Sequence, residues 1–267
     1  MPIICSADFH AIGQAGFKSI DYQVMGQAFK THSFLGRFFD ESICSHDLAH
    51  RLEECGMSVQ REVAIDAVYE TFTKRYKIDL LIDGSIPYEL KTVDFLHEKH
   101  DSQLLNYLFL LDLQHGKLLN FRSPSLQGRF ISTNLTPIDR RKFTLTTRNW
   151  VESTASMKPI VGLLNEILHD WGAFLSIELY SEAIIALVTE LKQPHPMVQI
   201  KRGDRLLGNQ SLPLITPDVM LHTSACSSRG QFRDQRRYLK RLLELTEVNQ
   251  AQWINFNQHE ISLETIK

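Results

Sequence analysis

The segment IDLLIDGSIPYELKT, residues 78–92, places the charged side chains of Asp79, Glu89 and Lys91 within a strand-like apolar pattern. Side chains on a strand alternate between its two faces, so Glu89 and Lys91 point the same way. A hairpin turn at residues 83–85 sets Asp79 directly opposite Glu89, on that same face. Two carboxylates and one amine are therefore predicted to meet on one side of a two-stranded ribbon.

This grouping favours a divalent metal ion. Two carboxylates so close together are unfavourable unless positive charge joins them, and Lys91 can neutralise only one. Oxygen ligands from Asp79 and Glu89, with a backbone carbonyl and waters, suit Mg²⁺ or Mn²⁺ in phosphodiester chemistry. The alternative is a solvent-facing hairpin with ordinary surface ion pairs. Pro87, which cannot donate to a strand ladder, also weakens the two-stranded arrangement.

The elements around the hairpin follow from the apolar periodicity. Between Ile20 and Cys55 it predicts two helices, parted near Gly36 and stopped at Gly56. Residues 100–116, HDSQLLNYLFLLDLQHG, are predicted to form a helix that ends at Gly116. The segments predicted to be strands are SVQREVAI, VYETFTKRY, KIDLLID, IPYELKTVDFL and KLLNFRS in the first half, then MVQIKRGDRLLG, SLPLITPDVMLHTS and QWINF.

The second half of the chain repeats the order of these elements. Four pairs of segments carry the similarity: LGRFFDESICS at 35–45 with WGAFLSIELYS at 171–181; ELKT at 89–92 with MLHT at 220–223, 131 positions further on; YL at 107–108 with YL at 238–239; and LNF at 119–121 with INF at 254–256. We therefore predict a domain at residues 1–145 with an intact site and a degenerate second copy at 150–267. Chance similarity between two helix-strand-helix segments is the alternative.

Composition sets further limits. The 267 residues, 43% hydrophobic and 22% charged, suffice for one large or two small soluble domains. No apolar run reaches the roughly 20 residues of a membrane span, and the N-terminus lacks the pattern of a secretory signal, so we expect a cytoplasmic protein that does not enter membranes. The four cysteines are scattered, which indicates reduced thiols rather than disulfides or zinc ligands. A net charge of −2 argues against sequence-blind binding of nucleic acid by the whole surface.

The ordered motifs in the first half resemble a known nuclease superfamily. Asp79 with the DLLI strand, the ELK tripeptide, HDSQLLNYL and LLNF together resemble the PD-(D/E)XK nuclease superfamily, and more narrowly the GxxExxY protein family. The resemblance, over about residues 35–121, implies a mixed α/β (α+β) fold. Its restriction-endonuclease-like core would be a mixed β-sheet flanked by helices.

The resemblance also implies a role for each site residue. Asp79 and Glu89 match the metal-binding acids, and Lys91 matches the lysine that orients the attacking water or stabilises the phosphorane. Gln103 and Tyr107 match the QxxxY helix of RecB-type and lambda-exonuclease-like nucleases, which supports the lysine and the phosphate. Glu41 matches a glutamate on the first helix that would be a third metal ligand. Phe38 and Cys44 stand where the family's motif has glycine and tyrosine.

Two functions remain open. The first is a Mg²⁺- or Mn²⁺-dependent nuclease that acts on DNA rather than RNA, working as a pseudo-dimeric monomer or a homodimer. The second is an inactive nuclease fold that binds nucleic acid or protein, with a scaffold for a larger complex as a weaker variant. In the second copy Met220 and His222 are set against Glu89 and Lys91, and Asp234 against Gln103. A helix of that copy carries a basic face that could contact phosphates, formed by Arg233, Arg236, Arg237 and Lys240.

Overall fold

The computed structural model describes residues 3–152 and 159–267. The chain forms two compact units: Met1–Val68 with Thr73–Pro137, and Tyr69–Phe72 with Ile138–Lys267. The first unit is built from β1 (Ile3–Cys5), α1 (Gln14–Leu35), α2 (Glu41–Glu54), β2 (Val59–Tyr69), β3 (Phe72–Ile82), β4 (Ile86–Lys91), α3 (Glu98–Leu111), β5 (His115–Asn120) and β6 (Gln127–Ser132).

The remaining elements follow in chain order. They are α4 (Pro137–Arg140), β7 (Thr144–Arg148), α5 (Ile160–Trp171), α6 (Ile177–Val188), β8 (Met197–Arg202), β9 (Arg205–Ser211), β10 (Leu214–Thr216), β11 (Val219–Ser224), α7 (Arg229–Glu244), β12 (Gln250–Asn257) and β13 (Glu260–Ile266).

A mixed six-stranded sheet forms the centre of the first unit, in the order β1-β2-β3-β4-β5-β6. Strands β4 and β5 are parallel, whereas β3 with β4 and β5 with β6 are antiparallel. The hairpin between β3 and β4 has the predicted register, Ile82 opposite Ile86. Its turn holds Asp83 and Gly84 at positive φ, a conformation that glycine adopts without strain.

The two faces of β4 have different surroundings. Ile86, Tyr88 and Leu90 are fully buried in an apolar core that includes residues of α1 and α2, such as Val24 and Leu48. Because side chains alternate, the intervening positions of β4 point to the opposite face. Helix α3 contacts β4, β5 and β6, and this packing brings its side chains to the site. One strand therefore contributes to the core with one face and to the site with the other.

The structure explains the proline in β4. Pro87 lies opposite Leu81 of β3. The N–H of Leu90, three positions later, points to Asp79 on β3, so the nitrogen of Pro87 points the other way, toward β5. The paired part of β4 and β5 begins one residue later, with Tyr88 opposite Lys117. The missing N–H of proline therefore falls just outside the ladder.

Several boundaries differ from the sequence-based predictions. Helix α3 ends at Leu111, because Asp112 takes a left-handed conformation, and Gly116 lies inside β5 rather than stopping the helix. The segment VYETFTKRY is not one strand, since Glu70 at positive φ turns the chain between β2 and β3. Strands β1, β6, β7 and β13 were not predicted.

The second unit contains a five-stranded sheet in the order β10-β11-β12-β13-β7. As in β3 to β6, its first pair is antiparallel, its second parallel and its third antiparallel, and α7 connects β11 to β12 as α3 connects β4 to β5. Strand β7 pairs with β13, so the division at Pro137 precedes the predicted boundary at 145–150. The origin of both units from one duplicated fold remains a prediction.

Two predictions about the chain as a whole concern membranes and cysteines. Across residues 3–152 and 159–267, no helix combines the length and apolar character that a membrane crossing requires. Cys5, Cys44, Cys55 and Cys226 are all free thiols, and Cys44 and Cys226 are buried.

Candidate active site

The predicted charged cluster forms at the end of the β3-β4 hairpin. Lys91 Nζ donates to Glu89 Oε1 at 2.8 Å, and Asp79 Oδ2 accepts from the backbone N–H of Leu90 at 2.7 Å. Extending the register of the hairpin sets Asp79 opposite Glu89. The side chain of Glu89 is only 2% exposed and that of Lys91 12%. The alternative of an ordinary surface ion pair is therefore wrong for these two residues.

One oxygen of the cluster is left without a partner. Glu89 Oε2 is buried and accepts no hydrogen bond from the described residues, although Oε1 is bound by Lys91. An unpaired carboxylate oxygen out of water is costly, which is why native structures rarely leave one. A cation held at this oxygen would remove the cost. Glu89 therefore fits a metal ligand through its chemistry as well as its position.

All three acids are harder to ionise than free carboxyl groups. Burial raises the pKa of Glu89 to about 7, with the Asp79 charge adding to the rise and Lys91 opposing it. Burial also raises the pKa of Asp79, although the hydrogen bond from the Leu90 N–H and the charge of Lys91 both act to lower it. Glu41 is the first residue of α2. Burial and the Asp79 charge raise its pKa, although the charge of Lys91 acts to lower it. Three acids share one lysine, so negative charge is in excess when they ionise.

Lys91 stays protonated at neutral pH. Burial alone would lower the pKa of its amine, but the carboxylates of Glu89, Glu41 and Asp79 outweigh burial and raise it. A protonated lysine has no lone pair with which to act as a base. It can donate hydrogen bonds to developing negative charge, and its bond to Glu89 Oε1 holds it in place.

Helix α3 brings the two predicted polar residues together. Gln103 Nε2 donates to the hydroxyl of Tyr107 at 3.0 Å, across one helical turn. Tyr107 is 4% exposed, and its pKa is raised by burial and by the nearby Glu89 charge. Its ring also contacts Tyr76 of β3 edge-on, at 5.9 Å between centroids. The six predicted site residues are thus linked by contacts or by charge interactions.

The donor set limits the kind of metal site that can form. In the parts of the chain that the structure describes, no group of three or more His, Cys, Asp or Glu side chains is arranged to hold an ion. Mg²⁺ commonly uses one or two carboxylates and keeps several waters. Glu89 and Asp79 could therefore hold such an ion, with main-chain and water oxygens, whereas a cage made only of side chains does not fit.

Comparison with known proteins agrees with this geometry. Residues 18–131 match the family model of the PD-(D/E)XK nuclease superfamily. The match runs from α1 into β6 and contains all six predicted site residues. The predicted fold class, a mixed sheet flanked by helices in a restriction-endonuclease-like arrangement, is confirmed. No curated protein and no solved structure matches the chain. Membership of the GxxExxY family and of the RecB-like type remains a prediction.

The first unit has a buried asparagine that sequence reasoning did not recognise as important. Asn120 donates from Nδ2 to the carbonyl of Val93 at 2.8 Å, and its Oδ1 accepts from the N–H groups of Val93 and Arg122, each at 3.2 Å. These bonds fix the chain just after Lys91, which lies opposite Asn120 in the β4-β5 ladder. The available signal was the LNF segment, which recurs as INF at 254–256.

Asn255 forms the same arrangement in the second unit and corrects the alignment of the two halves. Its Nδ2 donates to the carbonyl of Cys226 at 3.0 Å, and its Oδ1 accepts from the Cys226 N–H at 2.6 Å. Ser224 lies opposite Asn255, as Lys91 lies opposite Asn120. The counterpart of Lys91 is therefore Ser224, two positions beyond the sequence-based alignment.

The same shift gives Glu89 a new counterpart, His222. This imidazole is part-buried against Gln235 and the ring of Tyr238. Burial lowers its pKa to about 4, so it is neutral at physiological pH. The helices keep the original offset, because both carry a capping box, with N-caps at His97 and Ser228. The second unit thus has neither acid nor lysine at these β11 positions.

The predicted basic face lies on α7, in the second unit. Its four residues line one shallow groove together with Arg241 and Glu244. Arg236 forms a salt bridge to Glu264, and Arg237 lies 3.8 Å from Asp234. Part of the positive charge is therefore already compensated within the protein. Arg233 and Lys240 are exposed on the same face.

Proposed function

We propose that this protein is a metal-dependent nuclease that hydrolyses phosphodiester bonds in DNA, with Mg²⁺ or Mn²⁺ as its cofactor. The observation that carries the proposal is the buried, unpartnered Oε2 of Glu89, next to a second carboxylate and a protonated lysine. A site with this charge pattern is costly to build and has no structural purpose that the fold requires. The match of residues 18–131 supports the same chemistry.

The roles follow from the contacts. Asp79 and Glu89 would hold the metal ion, whereas Glu41, predicted as a third ligand, is not grouped with them to hold an ion in the described part of the chain and would act through its charge on Asp79 and Lys91. When bound, the ion supplies an activated water and neutralises phosphate charge. Lys91, fixed by Glu89 Oε1, donates to the oxygens of the phosphorane as charge develops there. Gln103 donates a hydrogen bond that orients the Tyr107 hydroxyl, and Tyr107 lies near enough to Glu89 for that charge to raise its pKa. Together, Gln103 and Tyr107 would support Lys91 and the bound phosphate.

The second candidate function is an inactive nuclease fold that binds nucleic acid or protein. It is favoured by the departures at Phe38 and Cys44, by the net charge of −2, and by the absence of acid and lysine on β11. In either case we propose that the α7 face formed by Arg233, Arg236, Arg237 and Lys240 contacts the phosphate backbone, and that one chain with two units acts as a pseudo-dimer.

A cleavage assay separates the two candidates. Lys91→Ala and Asp79→Ala should each lower Mg²⁺-dependent cleavage of DNA by at least about a hundredfold, because each removes a group that acts on the reacting phosphate. His222→Gln, at the position equivalent to Glu89, is the matched control and should cleave at the native rate. Circular dichroism checks that every variant is folded. Full activity in either first-unit variant contradicts the nuclease proposal.

A further inference from the structure

A cleft opens beside the candidate active site of the first unit. It has a volume of about 380 Å³ and is lined by the chain after Lys91, from Thr92, by the start of α3 and by Arg122. The N–H of Phe121 donates to the carbonyl of Lys91 at 2.8 Å, which keeps the two walls together. His100, also in the lining, is close enough to Lys91 for that charge to influence it. The cleft therefore begins at the residue that follows Lys91.

The lining combines positive charge with an exposed aromatic ring. Phe95 is 71% exposed, an unusual position for a side chain that gains stability from burial. Arg122 Nε is buried and has no hydrogen-bond partner among the described residues, although arginine is normally fully paired when buried. Lys99 adds a second cation, and Asp94 adds one carboxylate. An anion next to a flat apolar group would match the positive charge and the exposed ring of this lining.

A second exposed ring, Phe38, is held by Arg37, which also binds the backbone of Arg122. Arg37 donates from Nε to the carbonyl of Arg122 at 2.8 Å, and its guanidinium lies over the ring of Phe38, 5.6 Å from the centroid. Phe38 is 79% exposed and precedes Glu41 by three residues. An aromatic ring thus lies in the segment on each side of the acids and lysine, one after Lys91 and one before Glu41.

We propose that this cleft binds an unpaired nucleotide next to the bond that is cut, with Arg122 and Lys99 on its phosphate and Phe95 stacked on its base. Inside a duplex both faces of each base are covered by neighbouring pairs, and at a blunt end only one face of the last pair is free, so a protein ring stacks most readily on an unpaired base. The substrate class that fits is therefore single-stranded DNA or a single-stranded overhang rather than a blunt duplex. This inference rests on the proposed nuclease function and specifies its substrate.

Binding without catalysis tests the inference. Fluorescence anisotropy of the full chain, in EDTA so that no cleavage occurs, is measured with a labelled 15-nucleotide single strand and with the same sequence as a blunt duplex. We expect the single strand to bind at least fivefold more tightly, and Phe95→Ala to weaken single-strand binding about tenfold. Arg122→Gln should weaken single-strand binding as well. The number of counterions released on binding, measured from the salt dependence of the affinity, should fall by about one.

Matched variants distinguish ring stacking from the effect of side-chain volume and from a general effect on the folded protein. Phe95→Tyr keeps the flat ring and should bind like the native chain, whereas Phe95→Leu keeps apolar volume without a ring and should bind like Phe95→Ala. Tyr22→Ala, an aromatic residue 84% exposed in a different groove on α1, should have no effect. Equal binding of duplex and single strand, or native affinity in Phe95→Ala, overturns the inference but leaves the nuclease proposal standing. Loss of cleavage in Lys91→Ala with unchanged single-strand binding supports both.

Discussion

The two units of this protein use the same strand directions around very different chemistry. In both, an antiparallel pair is followed by a parallel pair and then an antiparallel pair, with a helix joining the parallel strands. In both, a buried asparagine binds the chain just beyond the second of these strands, Asn120 to Val93 and Asn255 to Cys226. Yet β4 carries Glu89 and Lys91 where β11 carries His222 and Ser224.

The difference shows which features the architecture needs. Asparagine and the apolar alternation are present in both units, so they serve the fold. The charges on β4 are absent from β11, where a neutral imidazole and a hydroxyl occupy the positions without disturbing the ladder. Glu89 and Lys91 are therefore dispensable for the architecture. Their burial at an energetic cost is what the proposed metal-dependent chemistry would explain.

The largest effect should come from removing the shared asparagines. Asn120→Ala and Asn255→Ala each leave buried backbone groups without partners, so each should lower the free energy of unfolding of its own unit by about 3 kcal/mol. Hydrogen exchange followed by mass spectrometry on peptides from β4 and β11 measures the two units separately. A loss below about 1 kcal/mol in either unit would break the comparison between them.

Glu89 and His222 should give opposite pH dependences. Between pH 4.5 and about 7 the unfolded chain releases the Glu89 proton and the folded chain keeps it, so this residue makes stability fall as pH rises. Between about pH 4 and 6.5 the unfolded chain takes up a proton that folded His222 excludes, so stability rises with pH and is complete above 6.5.

Substitution should remove each slope separately. Glu89→Gln should abolish the fall and stabilise the first unit by about 2 kcal/mol at pH 8 without metal, whereas His222→Gln should abolish the rise in the second unit. Urea denaturation at pH 4.5, 6 and 8, with exchange data to assign each transition, gives the slopes. If Glu89→Gln is less stable than the native chain at pH 8, the buried charge is not a cost to the fold.

The smallest effect concerns the basic face of α7. Arg233→Gln combined with Lys240→Gln removes two charges for which the described part of the chain offers no salt bridge like that of Arg236 with Glu264. Nucleic-acid affinity should therefore fall a few-fold, and the number of counterions released on binding should fall by about two. Lys18→Gln with Lys30→Gln on α1 is the control for charge alone. An identical loss in both double variants would show that net charge, and not the α7 face, is responsible.

The local sequence predicted the site better than it predicted its surroundings. The Asp83-Gly84 turn determined the hairpin register, and alternation then determined that Glu89 and Lys91 share a face. The depth of burial could not be read from alternation, because it depends on α3 packing over β4. Asn120 escaped notice for the same reason, since its partners Val93 and Arg122 become neighbours only in the folded sheet.

Element ends were predicted least well where tertiary packing decides them. Asp112 adopts a left-handed conformation that ends α3 four residues before Gly116, the residue type usually expected there. Strand β7 is short and polar and resembles a linker in sequence, but it pairs with β13 at the edge of the second sheet. Long-range pairing of this kind leaves little local signal.

The account's central claim is that β4 carries a divalent metal site that β11 lacks. Calorimetric titration of the full chain with Mn²⁺ at pH 8, where Glu89 is ionised, tests this claim most directly. We predict one bound Mn²⁺ per chain, binding that is lost in Glu89→Gln, and binding that is unchanged in His222→Gln. No binding at millimolar Mn²⁺, or native binding by Glu89→Gln, would contradict the claim and leave an inactive nuclease fold as the better description.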